Sequence, residues 1–227
     1  MIDIHCHILP GLDDGAKDMA TAIEMAAIAV RDGIDTVIAT PHVNPSLSLE
    51  KIHGAVAGLQ QVLDGEGIPL KLLSGGEVPF GLLREEKSPL TLGESNAILV
   101  EFLPDFIPDD AEDVLMGLIR RGYVIIIAHP ERNRVFMRHP DTLNRLLVPG
   151  VFLQVTAMGF KGSFGPDVSI FAHTLLKKGM IRFIASDAHD TAFRRPEFSW
   201  LLSSASKKKY RQALYAIIHH HPETMFC

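Results

Sequence analysis

The feature that most constrains this chain is an alternation that runs along its whole length. Short apolar runs of strand length, at residues 2–4, 36–39, 70–73, 97–100, 124–128, 151–155 and 181–185, take turns with helical stretches. The helical stretches have clear punctuation. In residues 17–31, Ile23, Ala26, Ala27 and Val30 fall on one face, Asp18 is placed to cap the start, and Gly33 stops the run. Residues 47–63, 110–121, 140–147 and 166–178 read the same way, and residues 198–220 read as a mostly helical tail. The run Val124-Ile125-Ile126-Ile127-Ala128 has no polar face, which is the composition of a strand buried on both sides. Strands alternating with helices imply a parallel sheet, and about seven βα units imply a closed or nearly closed barrel. No glycine/serine-rich or highly charged linker breaks the series, so residues 1–227 are expected to form one domain.

Composition narrows the function. Hydrophobic residues make up 47% and charged residues 22%, which excludes disorder as the main state. A formal net charge of −5 argues against general nucleic-acid binding, which needs a dense basic face. Cys6 and Cys227 cannot build a disulfide framework and suit a reducing compartment. The opening Met1-Ile2-Asp3-Ile4-His5 carries no basic or apolar leader, and no run nears the ~20 apolar residues of a membrane span. A cytoplasmic protein with no membrane insertion is therefore expected.

The chemistry lies just past the end of each strand. In a barrel, the C-terminal ends of the strands share one face and carry the active site. His5 and His7 follow the first strand, with Asp13 and Asp14 in the loop beyond. His42 follows the second strand, Glu77 the third, Glu101 the fourth and His129 the fifth; Asp187 and His189 follow the last. Residues two apart on an extended strand point the same way, so His5 and His7 can share one cation while Cys6 points elsewhere. The same holds for Asp187 and His189 if the strand continues through them. His5, His7, Asp14, His42, Glu77, Glu101, His129, Asp187 and His189 are too many ligands for one ion, so two or three divalent metals are expected, with a carboxylate such as Glu77 between them. Mixed imidazole and carboxylate ligation suits manganese, iron or zinc. Clustered metals clamp a phosphoryl group and make a nucleophile from water at neutral pH. Arg132, three residues after His129, and Arg194 or Arg195, after His189, lie on the same expected face, where a guanidinium fork fits phosphate.

Other tempting residues are read as ordinary. Phe102, Phe106, Phe160 and Phe164 could line an entrance, but phenylalanine is more often core. His53, His139 and His173 fall within helical stretches. His219-His220-His221 lies beyond the barrel units and reads as a solvated helix end, and Lys207-Lys208-Lys209 as a solvated face.

Taken together, His5-Cys6-His7-Ile8-Leu9-Pro10-Gly11-Leu12-Asp13-Asp14-Gly15, Ala39-Thr40-Pro41-His42, His129-Pro130-Glu131-Arg132 and Ser186-Asp187-Ala188-His189 resemble the PHP (polymerase and histidinol phosphatase) superfamily. Within it they are most similar to the bacterial metal-dependent protein-tyrosine phosphatases of capsule and exopolysaccharide loci. The resemblance runs from residue 1 to about residue 200, and the Leu-Pro-Gly-x-Asp-Asp-Gly segment is its most particular part. It implies a distorted (β/α)7 TIM-like barrel and a three-metal site supported by manganese. It also implies hydrolysis of phosphotyrosine on the tyrosine-rich C-terminal tail of a polysaccharide-export tyrosine autokinase. It gives ligand roles to the nine residues from His5 to His189 and phosphate-holding roles to Arg132 and Arg194; His42 and Asp187 are expected to be needed for catalysis as well. The segment Val43-Asn44-Pro45-Ser46-Leu47 departs from the family pattern by lacking the second histidine common there.

Three rivals fit less well. A cysteine-dependent phosphatase needs Cys-x5-Arg, and Leu12 stands where that arginine would be. An amidohydrolase-type barrel commonly ends a middle strand in a metal-bridging lysine, whereas here those strands end in Glu77, Glu101 and His129. A non-catalytic binding module has no need to retain every ligand. Inside the superfamily, a phosphatase of a small phosphomonoester such as histidinol phosphate is the alternative.

Overall fold

The strands form where branched apolar residues cluster, because side chains branched at Cβ pack well on a pleated surface. A computed structural model describes residues 1–84, 88–204 and 208–226. All of its strand pairs are parallel. Strands β1 (Ile2–Cys6), β2 (Thr36–Ala39) and β3 (Lys71–Ser74) form one sheet in that order. Strands β4 (Glu77–Pro79), β5 (Ala97–Glu101), β6 (Val124–Ala128), β7 (Val151–Thr156) and β8 (Ile181–Ala185) form the other.

The sheets meet at two seams, both near the C-terminal ends of the strands. At one, Cys6 bridges Ala188; Asp187 N donates to His5 O at 2.8 Å and His7 N to Ala188 O at 2.9 Å. Below them the buried Asp3 carboxylate accepts from Ser186 N at 3.0 Å and from the Ser186 hydroxyl. At the other seam His42 bridges Glu77, with Val43 N donating to Glu77 O at 2.9 Å. The strands thus follow the course of a barrel whose two sheets are joined by isolated bridges.

Helices cover the outside. They are α1 (Met19–Asp32), α2 (Leu49–Gly65), α3 (Ala111–Arg120), α4 (Arg134–Arg138), α5 (Pro140–Leu146), α6 (Ala157–Lys161) and α7 (Pro166–Lys177), then α8 (Trp200–Ser204), α9 (Lys208–Tyr215) and α10 (His221–Phe226) in the tail. Asp18 caps α1 as expected, accepting from Thr21 N at 2.8 Å, and Gly33 ends it in the left-handed region at φ 89°. The strand period of two sorts the apolar residues. Ile98, Val100, Ile125 and Ile127 belong to the large core, whereas Ala97, Leu99, Ile126 and Ala128 belong to a smaller cluster with Ile2, Ile4, Phe183 and Ala185. The alternate series that holds Ala97 and Leu99 continues to Glu101, so the face that begins apolar ends in a ligand-type residue.

The architecture departs from seven even βα units. The 70–73 run is followed by a further strand, β4, with no helix between them, and then by a 3₁₀ turn at Phe80–Arg84. The chain crosses from one sheet to the other through Gly75-Gly76. A Cβ at Gly75 would sit 2.8 Å from Ile38 Cγ2, and one at Gly76 2.4 Å from Leu90 Cδ2. A three-residue strand is too short to show a period, so Glu77 opens a strand rather than closing one. Helices α4 and α6, of five residues each, leave no periodic trace for the same reason. His53 and His173 are exposed on helices, and His139 is exposed at the junction between α4 and α5. His221 Nδ1 donates to Arg182 O at 2.9 Å, at the start of β8 and away from the strand C-terminal ends. Lys207 lies outside the described residues. No helix among the described residues is long and apolar enough to cross a membrane.

Candidate metal centre

The nine residues singled out at strand ends come together. They fall into four overlapping groups, each with its ligand atoms within 4.8 Å of one another: His7, Asp14, His42 and His189; His5, His7 and Asp187; His5, Glu77 and His129; His42, Glu77 and Glu101. His5, His7, His42 and Glu77 each belong to two groups, as shared positions would in a multinuclear site.

Strand β1 supplies the centre of the cluster. His5 Nδ1 donates to Gln154 Oε1 at 2.9 Å, and His7 Nδ1 donates to Asp13 Oδ2 at 2.7 Å. Both rings are thereby turned so that Nε2 faces inward, and the two Nε2 atoms lie 3.1 Å apart. Cys6, between them, is buried in the apolar core. Asp187 and His189 are brought in differently. Strand β8 ends at Ala185, and Asp187 sits in the left-handed region at φ 51°, so a turn aims these side chains rather than the strand pleat. His129 is also left-handed, at φ 30°. Residues other than glycine held there carry strain, which the surrounding structure must sustain.

Glu77 tests whether the donor set fits a cation. It is wholly buried. Its Oε1 accepts from His129 Nε2 at 2.6 Å. Its Oε2 lies 3.0 Å from His42 Nδ1 and 3.4 Å from Nε2 of both His5 and His7, yet has bonding geometry to none of them. An unmatched buried carboxylate oxygen is costly, and one ringed by imidazole nitrogens is matched by a divalent ion between them. The residues fit the group.

Electrostatics point the same way. Burial alone would lower the pKa of His5, but the charges of Glu77 and Asp187 overcome it and raise it to about 9. His42 is raised to about 9 by its contact with Glu77. Burial favours the neutral form of Glu77 and Asp187, yet His5 and His129 hold both carboxylates well below the usual range, Arg194 and Arg132 adding to this at Asp187. His189 is pushed down to about 4 by burial and by His7. His5, His42, Glu77 and Asp187 thus favour their charged forms because oppositely charged groups face them, whereas at His189 burial leads.

The arginines divide. Arg132 Nη1 and Arg194 Nη2 each lie 2.6 Å from a different oxygen of Asp187. Arg195 turns away to Glu197 at 3.3 Å. Asp14 is exposed at the mouth, its Oδ1 3.5 Å from Nε2 of both His42 and His189.

A supporting layer leaves little trace in the sequence. Asp13 takes both His7 Nδ1 and, at 2.9 Å, the His42 backbone N–H. The loop that carries it passes so close that a Cβ at Gly15 would lie 2.1 Å from His7 O. The Thr156 hydroxyl donates to Asp187 Oδ2 at 3.3 Å, and Thr156 N donates to Glu131 Oε1 at 2.9 Å. Burial pushes Glu131 up to about 7. Gln154 alone leaves a signal: one amide in the apolar strand Val-Phe-Leu-Gln-Val-Thr, on the inward series. Of the four phenylalanines expected in the core, Phe102 and Phe160 are buried, Phe106 is exposed, and the Phe164 ring lies 4.9 Å from the Arg132 guanidinium.

A parallel α/β barrel with imidazoles and carboxylates gathered at the strand C-terminal ends defines a metal-dependent hydrolase. The chain belongs to the CpsB/CapC family of capsular polysaccharide synthesis, whose model matches residues 1–227. It is 41% identical over 201 residues to the tyrosine-protein phosphatase YwqE of Bacillus subtilis, covering 86% of this chain and 79% of that protein. It is 24% identical over 220 residues to the tyrosine-protein phosphatase CpsB of Streptococcus pneumoniae, covering 92% and 90%. A solved structure from work on YwqE of B. subtilis and CpsB of S. pneumoniae, described as unique metal-dependent tyrosine phosphatases, superposes with a TM-score of 0.91 at 37% identity, covering 100% of this chain and 94% of that one.

Proposed function

We propose that residues 1–227 act as one catalytic unit, a metal-dependent protein-tyrosine phosphatase. The observation that carries the reading is the meeting of two guanidinium forks on Asp187 at the edge of a cluster of nine metal-ligating side chains. His5, His7, Asp14, His42, Glu77, Glu101, His129, Asp187 and His189 hold two or three divalent ions, manganese foremost and iron or zinc next. Such ions neutralise phosphoryl oxygens and provide a nucleophile from water at neutral pH. The chain's own part is positioning. Gln154 and Asp13 fix the rings of His5 and His7. Asp187 holds Arg132 and Arg194 at the edge of the cluster, where their guanidinium groups would bind a phosphate. His42 and Asp14, both open to solvent, border the entry.

The substrate of this reading is a phosphotyrosine protein. The family's link to capsular polysaccharide synthesis supports the C-terminal tail of a polysaccharide-export tyrosine autokinase, in the cytoplasm. The test strips the protein with chelator, restores it with Mn²⁺, and compares phosphate release from phosphotyrosine peptide, phosphoserine peptide and histidinol phosphate. Selective, metal-dependent release from phosphotyrosine is expected. Preference for histidinol phosphate would move the activity to small phosphomonoesters, and no release from any of them would refute the reading.

A further inference from the structure

A cleft of about 650 Å³ opens beside the metal centre, and none of the nine ligand residues lines it. Arg132 and Pro104 line it, and the same two residues line a small pocket that contains Glu101 and His129. The cleft therefore adjoins the site, with Arg132 and Pro104 as the shared wall. Arg132 stands at the junction, with one end on Asp187 and its guanidinium against the Phe164 ring. Beyond it the walls are the ring of Phe171 and the exposed Ile170 of α7. Leu103 and Phe106, on the loop that also carries Pro104, are more than half exposed. An apolar wall of this kind suits a polypeptide better than a small polar metabolite.

The charge of the cleft is opposite to that of the whole protein. Arg132, Arg134 and Arg138 line it against a single acid, Asp167, in a chain of net charge −5. Arg132 is committed to Asp187, and Arg134 pairs with Asp105. Arg138, exposed at the end of α4, makes no ion pair among the described residues. An uncommitted guanidinium in a cationic cleft that opens from a phosphate site is complementary to a carboxylate on the same substrate chain.

We propose that this cleft is a substrate subsite that receives the residues flanking the phosphotyrosine, with Arg138 selecting an acidic side chain there. The proposal rests on the phosphatase reading and deepens it by naming a sequence preference. Because Arg138 is solvated, the contact is weak, equivalent to a two- to fivefold preference at about 0.15 M salt, and it shrinks as salt rises.

The test uses the full chain loaded with Mn²⁺ and three phosphotyrosine peptides identical except that the flanking residues are glutamate, glutamine or lysine. The readout is the ratio of kcat/KM between peptides, which general damage to a variant leaves unchanged. Wild-type protein is expected to favour the glutamate peptide over the glutamine peptide two- to fivefold, chiefly through KM. Arg138→Ala brings that ratio to about one, and Arg138→Glu makes the lysine peptide the better substrate. Equal kcat/KM on all three peptides in wild type, or a ratio unmoved by Arg138→Glu, would overturn the subsite while leaving the phosphatase standing. p-Nitrophenyl phosphate, which has no flanking residues, separates the two failures: no metal-dependent hydrolysis of it or of any peptide removes the phosphatase reading and the subsite together.

Discussion

The loop after β1 offers the sharpest test of how the centre is built. At Gly15 an added methyl would lie 2.1 Å from His7 O and 2.5 Å from His7 Cβ, where ordinary contact begins near 3.4 Å. In Gly15→Ala the loop must therefore retreat by more than 1 Å. Asp13 is two residues away, and its bonds to His7 Nδ1 and His42 N are 2.7 and 2.9 Å long. A retreat of that size carries both beyond hydrogen-bonding reach. His7 then loses the carboxylate that orients its ring, and losses of this type cost about 10- to 100-fold in metal affinity. Titration calorimetry with Mn²⁺ on chelator-stripped protein measures this directly. Asp13→Ala removes the same support by another route. If the reasoning holds, the double variant binds Mn²⁺ about as tightly as either single one, because residues acting through one network are not additive. Wild-type affinity in Gly15→Ala, or penalties that multiply in the double variant, would refute it.

Three further outcomes come from the geometry. Arg194→Lys keeps the charge but loses the fork, so kcat/KM on a phosphotyrosine peptide falls about tenfold or more, whereas Arg195→Lys, whose guanidinium faces Glu197, stays near wild type; equal losses would show that the two were assigned wrongly. Gln154→Leu frees the His5 ring and lowers Mn²⁺ affinity about 10- to 100-fold, read by calorimetry; unchanged affinity would mean that the strand alone holds His5. In stripped protein, His5 and His42 titrate near 9 rather than at the 6.5 of an unfolded chain, so the stability they add is full below pH 6.5 and is lost as pH rises through 9. The thermal midpoint of stripped protein should fall across that window, in which His189, held near 4, does not titrate, while Mn²⁺ stabilises more at the higher pH because it must displace those protons. A flat or rising midpoint without metal would contradict the assignment.

The sequence shows the clustering of ligand-type side chains more fully than the fold, for a physical reason. A ligand at a strand end announces itself by type and place, and the parallel strands carry such residues to one rim whatever the details of the crossovers. Strand order brings His5, His7 and His42 to one rim, whereas Glu77 arrives through the crossover at Gly75-Gly76. The split between β3 and β4 is hidden because it depends on two glycines threading past Ile38 and Leu90, a contact between distant residues that leaves no periodic trace. The sequence singles out Asp14 as a ligand and gives Asp13 no role, yet Asp13 holds two groups of the site in place while Asp14 lies at the mouth. That division is set by a turn at Gly15. Arg194 and Arg195 are separated by a local ion pair with Glu197 that composition does not show.

The seam between β1 and β8 gives the site a direction in time. Ligands from the first seven residues meet Asp187 and His189 across a separation of nearly the whole chain, through a handful of backbone bonds. Contacts so distant carry the largest loop-closure entropy. During synthesis the histidines of β1 emerge from the ribosome long before their partners. An ion caught by the emerging His5-Cys6-His7 segment would find only a fragment of a site and leave again. Retention of an ion by the whole cluster would then report that the segment after β8 has docked against β1.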